Sequence, residues 1–355
     1  MSFETIFKEK IELEKLVVAL TRENMELKQR YNCNSEDNQL FADLLLKWLE
    51  KKKSQVRANT YDGYRSQINK HIEPYFRANN LHLSEITPIV IEDYYRVKQR
   101  QGLSGNTLAK HHNSIHAALG IAVRNRWITY NPADYTEKPG IEKFCGSFLT
   151  INELQRLFKH LEGHKLYLPV VLAAVLGLRR SEALALRWKD INWDSKTVCI
   201  QHTVVKYSEH HRNKLFFSNL TKNDSSHRTL PIPEKLFDYL QKVKIKQCKL
   251  YIRNRKVYNK QYLEYICVDE FGNFITPDYV SKKFKIHTDR LKLKCRYHDL
   301  RHTCASLLYQ NGTQMKAVSQ WLGHSSTAVT DSVYIHLSFK DKQNIADTLN
   351  DMIDL

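Results

Sequence analysis

Three short strings concentrate arginine, histidine and tyrosine in this chain. They are Gly-Leu-Arg-Arg-Ser-Glu at 177–182, Tyr-His-Asp-Leu-Arg-His-Thr at 297–303, and Leu-Gly-His-Ser-Ser at 322–326, followed by Ser-Val-Tyr-Ile-His at 332–336. Attack on a phosphodiester puts developing negative charge on two non-bridging oxygens, and a guanidinium meets that planar demand better than an ammonium does. Arg179 and Arg301 are the candidates. Arg179 follows a Gly-Leu turn and can project from a helix start; an ion pair with Glu182 is the plain alternative, although Glu182 could also orient the arginine and leave its fork free. Arg301 comes three residues after His298, a spacing that puts both on one face of a helix. A tyrosine hydroxyl ordinarily titrates near pH ~10, so as a nucleophile it needs a base and cationic neighbours. His298 is the candidate base for Tyr334. His324, ten residues before Tyr334 and after a Leu-Gly turn, can donate a hydrogen bond to the phosphate. Singly, a His or Tyr in a helical stretch is ordinarily a satisfied core or surface residue; the spacing of the set reverses that default.

Rival chemistries fit less well. His298 and His302 have the i, i+4 spacing of a zinc-binding helix, but the residues between them are Asp-Leu-Arg, which lack the glutamate of that motif and put a cation beside the metal. The pairs His111-His112 and His210-His211 have no partner ligands at metal spacing, and neither a phosphate-binding Gly-rich loop nor a dinucleotide fingerprint is present. No metal and no cofactor is expected.

Taken together, the strings resemble the tyrosine recombinase (phage integrase) family, and Thr-Lys-Asn-Asp-Ser-Ser-His-Arg-Thr-Leu-Pro-Ile at 221–232 looks like that family's strand-turn-strand with its lysine. By position, the resemblance implies a catalytic set of Arg179, Lys222, His298, Arg301, His324 and Tyr334. It also makes Lys222 the acid for the departing 5′ oxygen, where the sequence alone reads as an exposed turn lysine. It implies a site-specific recombinase that passes through a 3′-phosphotyrosine, needs neither ATP nor metal, and integrates or excises a mobile element. Its partners would be duplex DNA with specific sites, further copies of the chain forming a tetramer at synapsis, and an accessory directionality or DNA-bending factor. Many integrases of mobile elements begin with a separate arm-site domain, whereas here fewer than 40 residues precede the helical module. A topoisomerase using the same tyrosine chemistry and a non-catalytic DNA-binding regulator are the alternatives, and the intact catalytic set argues against the second.

The rest of the chain has to position those groups on a polyanion. Among 355 residues, 55 Lys and Arg face 38 Asp and Glu, a net charge of +17 that points to nucleic acid. Seven scattered cysteines without a C-x-x-C pair suggest reduced thiols, and the longest apolar run, Leu166 to Leu178, is 13 residues where a membrane span takes about 20. A cytoplasmic, nucleoid-associated protein without membrane contact is expected.

Residues 1–37 carry a short zipper pattern with Ile6, Leu13, Leu20 and Leu27 at one heptad position, which fits either a coiled coil or a helix on its own domain. Apolar residues at i, i+3 and i+4 spacing predict helices over 39–53, 58–78, 88–101 and 105–127. They form an all-helical core-binding module at 38–130 whose exposed faces, with Lys110 and His111 among them, read as phosphate contacts. Pro and Gly at 131–147 mark a linker.

A catalytic domain at 148–337 is expected to hold a helix capped by Thr150 and Glu153, an apolar helix ending at Gly177, and a small antiparallel sheet around 197–205, 216–220 and 228–232. A further helix over 234–256 lines up Lys242, Lys246, Lys249 and Arg253, continued by Lys256 and Lys260, on one face that favours nucleic acid. The tail, 338–355, carries an apolar stripe of Ile345, Leu349, Met352 and Ile353 that the resemblance would dock on a neighbouring subunit. The expected class is mainly α with a small antiparallel β-sheet (α+β).

Overall fold

The computed structural model describes residues 39–141, 148–209, 212–219 and 227–323. The zipper pattern, Lys222, His324, Tyr334 and the tail stripe lie outside the described residues. The chain divides into two units, Met1–Lys143 and Phe144–Leu355.

In the first unit, α1 (Phe41–Lys53), α2 (Ala58–Gln67), α3 (Glu73–Ala78), α4 (Pro88–Arg100) and α5 (Gly105–Arg124) follow the apolar spacing closely. The second predicted helix is one run in which α2 passes through a π-helical turn, Ile68–Ile72, into α3. Pro74 explains the widened turn, because its ring crowds the preceding turn and it has no N–H to donate there. Thr87 and Ser104 cap α4 and α5 by accepting from the amides of Val90 and Thr107. Phe41, Trp48, Ile68, Phe76, Ile91 and Leu119 share one core. The first part of the predicted linker packs on that core as well. Ala133, in the short turn Pro132–Tyr135, is fully buried, and Asn131 Nδ2 donates to the His116 carbonyl.

The structure corrects the expectation for His111. Its ring is buried, not presented to DNA, because it lies on the same stripe of α5 as Leu108, Ile115 and Leu119. There His111 Nδ1 and the Tyr94 hydroxyl share a hydrogen bond of 2.8 Å, and His112 makes the same 2.8 Å bond with Tyr95. Burial, with help from His71 and Lys98, pushes the His111 imidazole from the ordinary 6.5 down to about 4. The folded state therefore binds this proton more weakly than the unfolded chain does. The stability tied to it is complete above pH ~6.5 and is lost as the pH falls toward ~4, by up to about 3 kcal/mol. Urea unfolding of the full chain between pH 7 and pH 4 should show this acid lability, and His111→Phe should remove that part of the slope; an unchanged slope would refute the assignment.

The second unit begins with α6 (Ile151–Leu161), whose Thr150–Glu153 capping box forms as expected. The buried helix α7 (Tyr167–Val175) follows, and after Gly177 comes α8 (Arg180–Ala185). The strands make two small antiparallel sheets instead of one. In the first, β1 (Ile191–Asn192), β2 (Thr197–Ile200) and β5 (Arg228–Pro231) pair in the order β1-β2-β5; the second is the hairpin of β3 (His202–Glu209) and β4 (Arg212–Asn219). The expected single strand over 197–205 is interrupted at Gln201, whose side chain donates to Asp190 Oδ1 at 2.9 Å where the chain passes between sheets. Four α-helices complete the described part: α9 (Glu234–Arg253), α10 (Pro277–Arg290), α11 (Asp299–Gln310) and α12 (Met315–Leu322), the last ending at Gly323 with φ 69°. Among the described residues, no helix is long and apolar enough to cross a membrane.

Candidate functional site

Arg179 occupies the residue before α8, in extended conformation, so its side chain leaves the helix start as the Gly-Leu turn suggested. Glu182, one turn later, accepts from the Arg179 backbone N–H at 3.0 Å and from Arg179 Nη1 at 2.7 Å. Ion pairing and orientation are thus both present. The Arg179 side chain stays 35% exposed, whereas Glu182 is buried. Burial alone would raise the Glu182 carboxyl, but Arg228, Arg179 and Arg301 outweigh it and hold the group at about 2.

Arg301 lies in the first turn of α11 and is 2% exposed. Its Nη1 donates to the Gly177 carbonyl and its Nη2 to the Leu322 carbonyl, both at 2.7 Å, while Nη1 stands 3.9 Å from Glu182. Burial and the neighbouring Arg179 charge pull Arg301 down to about 9, with Glu182 opposing the shift. Gly177 is a necessary glycine here. Its φ is +64°, which an L side chain rarely adopts, and a Cβ would stand 2.4 Å from Leu322 Cδ2.

His298 immediately precedes α11, three residues from Arg301, with its ring perpendicular to that of His302 at 5.2 Å between centroids. The residue keeps an exposed surface, yet desolvation of its ring, with His302 and Arg301 close by, pushes His298 down to about 4. It is therefore a neutral proton acceptor at pH 7. Among the described residues, no group of three His, Cys, Asp or Glu is placed to hold a metal ion.

The structure thus brings Arg179, His298 and Arg301 together, and it adds a group that sequence reasoning missed. Arg228, at the start of β5, donates from Nη2 to Glu182 Oε2 at 3.0 Å and from Nε to the Trp321 carbonyl at 2.8 Å. Its place in a basic, polar strand start gave no sign of burial; proximity to Glu182 is a purely tertiary fact. Lys242, Lys246, Lys249 and Arg253 are exposed along one side of α9, away from the buried Leu236, Phe237 and Leu240. The helix ends at Arg253, so Lys256 and Lys260 do not extend that face as expected. Lys110 is exposed on α5.

Comparison with known proteins gives the chain a family. Residues 147–341 match the model of the phage integrase family, and residues 40–98 match that of the phage integrase N-terminal SAM-like domain. A tyrosine recombinase XerC-like protein of Caldanaerobacter subterraneus subsp. tengcongensis is 29% identical, over 82% of this chain and 77% of the relative. The ICEBs1 integrase of Bacillus subtilis is 27% identical over 98% of this chain and 90% of its own length. Among solved structures, the Tn1549 transposon integrase in complex with transposon right end DNA superposes with a TM-score of 0.71 at 20% identity, over 88% of this chain and all of that one.

Proposed function

The chain belongs to the phage integrase family, and from that membership we propose that it is a site-specific tyrosine recombinase that cleaves and rejoins the DNA of a mobile element. The observation that carries this reading is the cluster of Arg179 and Arg301 around buried Glu182, with neutral His298 at the head of the same helix as Arg301. In this reading Tyr334 attacks the scissile phosphorus and passes its proton to His298. A tyrosyl–phosphate bond forms, the bond from phosphorus to the 5′ oxygen breaks, and Lys222 supplies the proton that leaves with that oxygen. Arg179, Arg301 and His324 match the charge growing on the non-bridging oxygens. A 5′ hydroxyl from a second duplex reverses the step. The phosphotyrosine conserves the energy of the cleaved bond, so ATP has no role. Paired exchanges between two duplexes call for four subunits, and an accessory protein that bends DNA or sets direction is the remaining partner in this reading.

The test is a nicked suicide duplex. It should yield a denaturant-stable protein–DNA adduct whose yield is the same in EDTA, with the modified peptide containing Tyr334. Loss of the adduct in EDTA would return the metal reading to contention.

The α9 stripe makes a separate expectation. Neutralising Lys242, Lys246, Lys249 and Arg253 should weaken binding to every duplex sequence. It should also make the salt dependence shallower, by up to roughly 0.9 in slope for each phosphate that is no longer neutralised. An unchanged slope would remove this face from the DNA interface.

A further inference from the structure

Three consecutive carbonyls end α12, and each receives a guanidinium from a different part of the chain. Arg228 Nε reaches Trp321 O at 2.8 Å, Arg301 Nη2 reaches Leu322 O at 2.7 Å, and Arg179 Nη2 reaches Gly323 O at 3.2 Å. The last carbonyls of a helix lack intrahelical partners and lie at the negative end of its dipole, so cations there need no special cause. Helix capping does not explain why the same three guanidiniums also converge on Glu182, Arg179 at 2.7 Å, Arg228 at 3.0 Å and Arg301 at 3.9 Å. Arg228 is the rigid brace between the two ends of this arrangement, one planar group that holds both a carboxylate on α8 and a carbonyl on α12. Its backbone is fixed by pairing with Ile200 across β2 and β5. Its side chain is 6% exposed, so it is packed in place between the two elements that it joins.

We infer that Arg228 is a positioning residue for strand cleavage, which clamps Glu182 to the end of α12 and so sets where the forks of Arg179 and Arg301 stand. This inference rests on the cleavage chemistry proposed above. Glu182 has two oxygens for three guanidiniums. With Arg228 removed, Oε2 is open to Arg301, which is drawn toward it and away from the Gly177 and Leu322 carbonyls. A displacement of about 1 Å at a reacting centre can cost on the order of 10²-fold in rate.

The test uses the full chain carrying Arg228→Lys or Arg228→Met, with adduct formation measured at saturating nicked duplex per folded molecule, alongside duplex affinity and the thermal midpoint. Lysine keeps the charge but cannot hold two acceptors in one plane, so both variants should cleave slower by on the order of 10²-fold while binding duplex normally. Combined with Arg301→Lys, the Arg228→Lys loss should be less than multiplicative, because both changes act on the same fork. Multiplicative losses, or undiminished cleavage by Arg228→Lys, would overturn the inference and leave the recombinase reading intact. A parent chain that forms no adduct at all would overturn both.

Discussion

A Tyr334→Phe chain should bind duplex DNA like the parent and form no covalent adduct with a nicked suicide substrate. The change removes the one atom that bonds to phosphorus in the proposed mechanism, so the expected effect is complete, whereas removing a general acid or base ordinarily costs about 10²–10⁴-fold. Binding should persist because phenylalanine leaves the charge of the chain unaltered. Denaturing electrophoresis after a long incubation checks the first point, and a gel shift on uncleavable duplex checks the second. An adduct that survives in Tyr334→Phe moves the nucleophile elsewhere.

The second large effect is expected at Arg301, and it has two parts. Arg301→Ala removes a charge-matched donor, a loss on the order of 10²–10³ in rate by analogy with oxyanion donors. It also strips the partner from the Gly177 and Leu322 carbonyls, each worth about 1–3 kcal/mol if it stays unsatisfied. The thermal midpoint should therefore drop together with the rate. Arg301→Lys restores the charge without the fork, so it should recover stability only in part and rate less. If Arg301→Ala cleaves at the parental rate once corrected for the folded fraction, the residue is structural and the phosphate is met by other groups.

The sequence made the charged strings legible because their chemistry is local. Arg179 and Glu182 are one helical turn apart, as are His298 and Arg301, and in the structure each pair shares a helix start. Arg228 stayed hidden because 46 residues separate it from Glu182, and alternation in a short strand does not say which polar residue the fold will bury. His111 shows a different limit. The stripe of Leu108, Ile115 and Leu119 already placed it inward, but its basic surroundings suggested a surface, and helical phase is the stronger determinant when the two disagree. The break at Gln201 could not be read at all from β-rich residues, since the partner its side chain finds there, Asp190, lies eleven positions earlier.

The crowding of three guanidiniums around one buried carboxylate also bears on how this protein can evolve. Burial first, and then the like charge of Arg179, pull Arg301 down to about 9, so these cations are held together out of water against their own repulsion. In the proposed reading, an arriving phosphate would supply the missing negative charge and relieve that repulsion, which would link substrate occupancy to folding thermodynamically. A second acid placed beside Arg301 would make the resting protein sturdier and, in that reading, would occupy the charge proposed to meet the substrate. Robustness and turnover therefore compete at this spot, and variants selected for heat resistance should gather their changes away from α8, α11 and the end of α12.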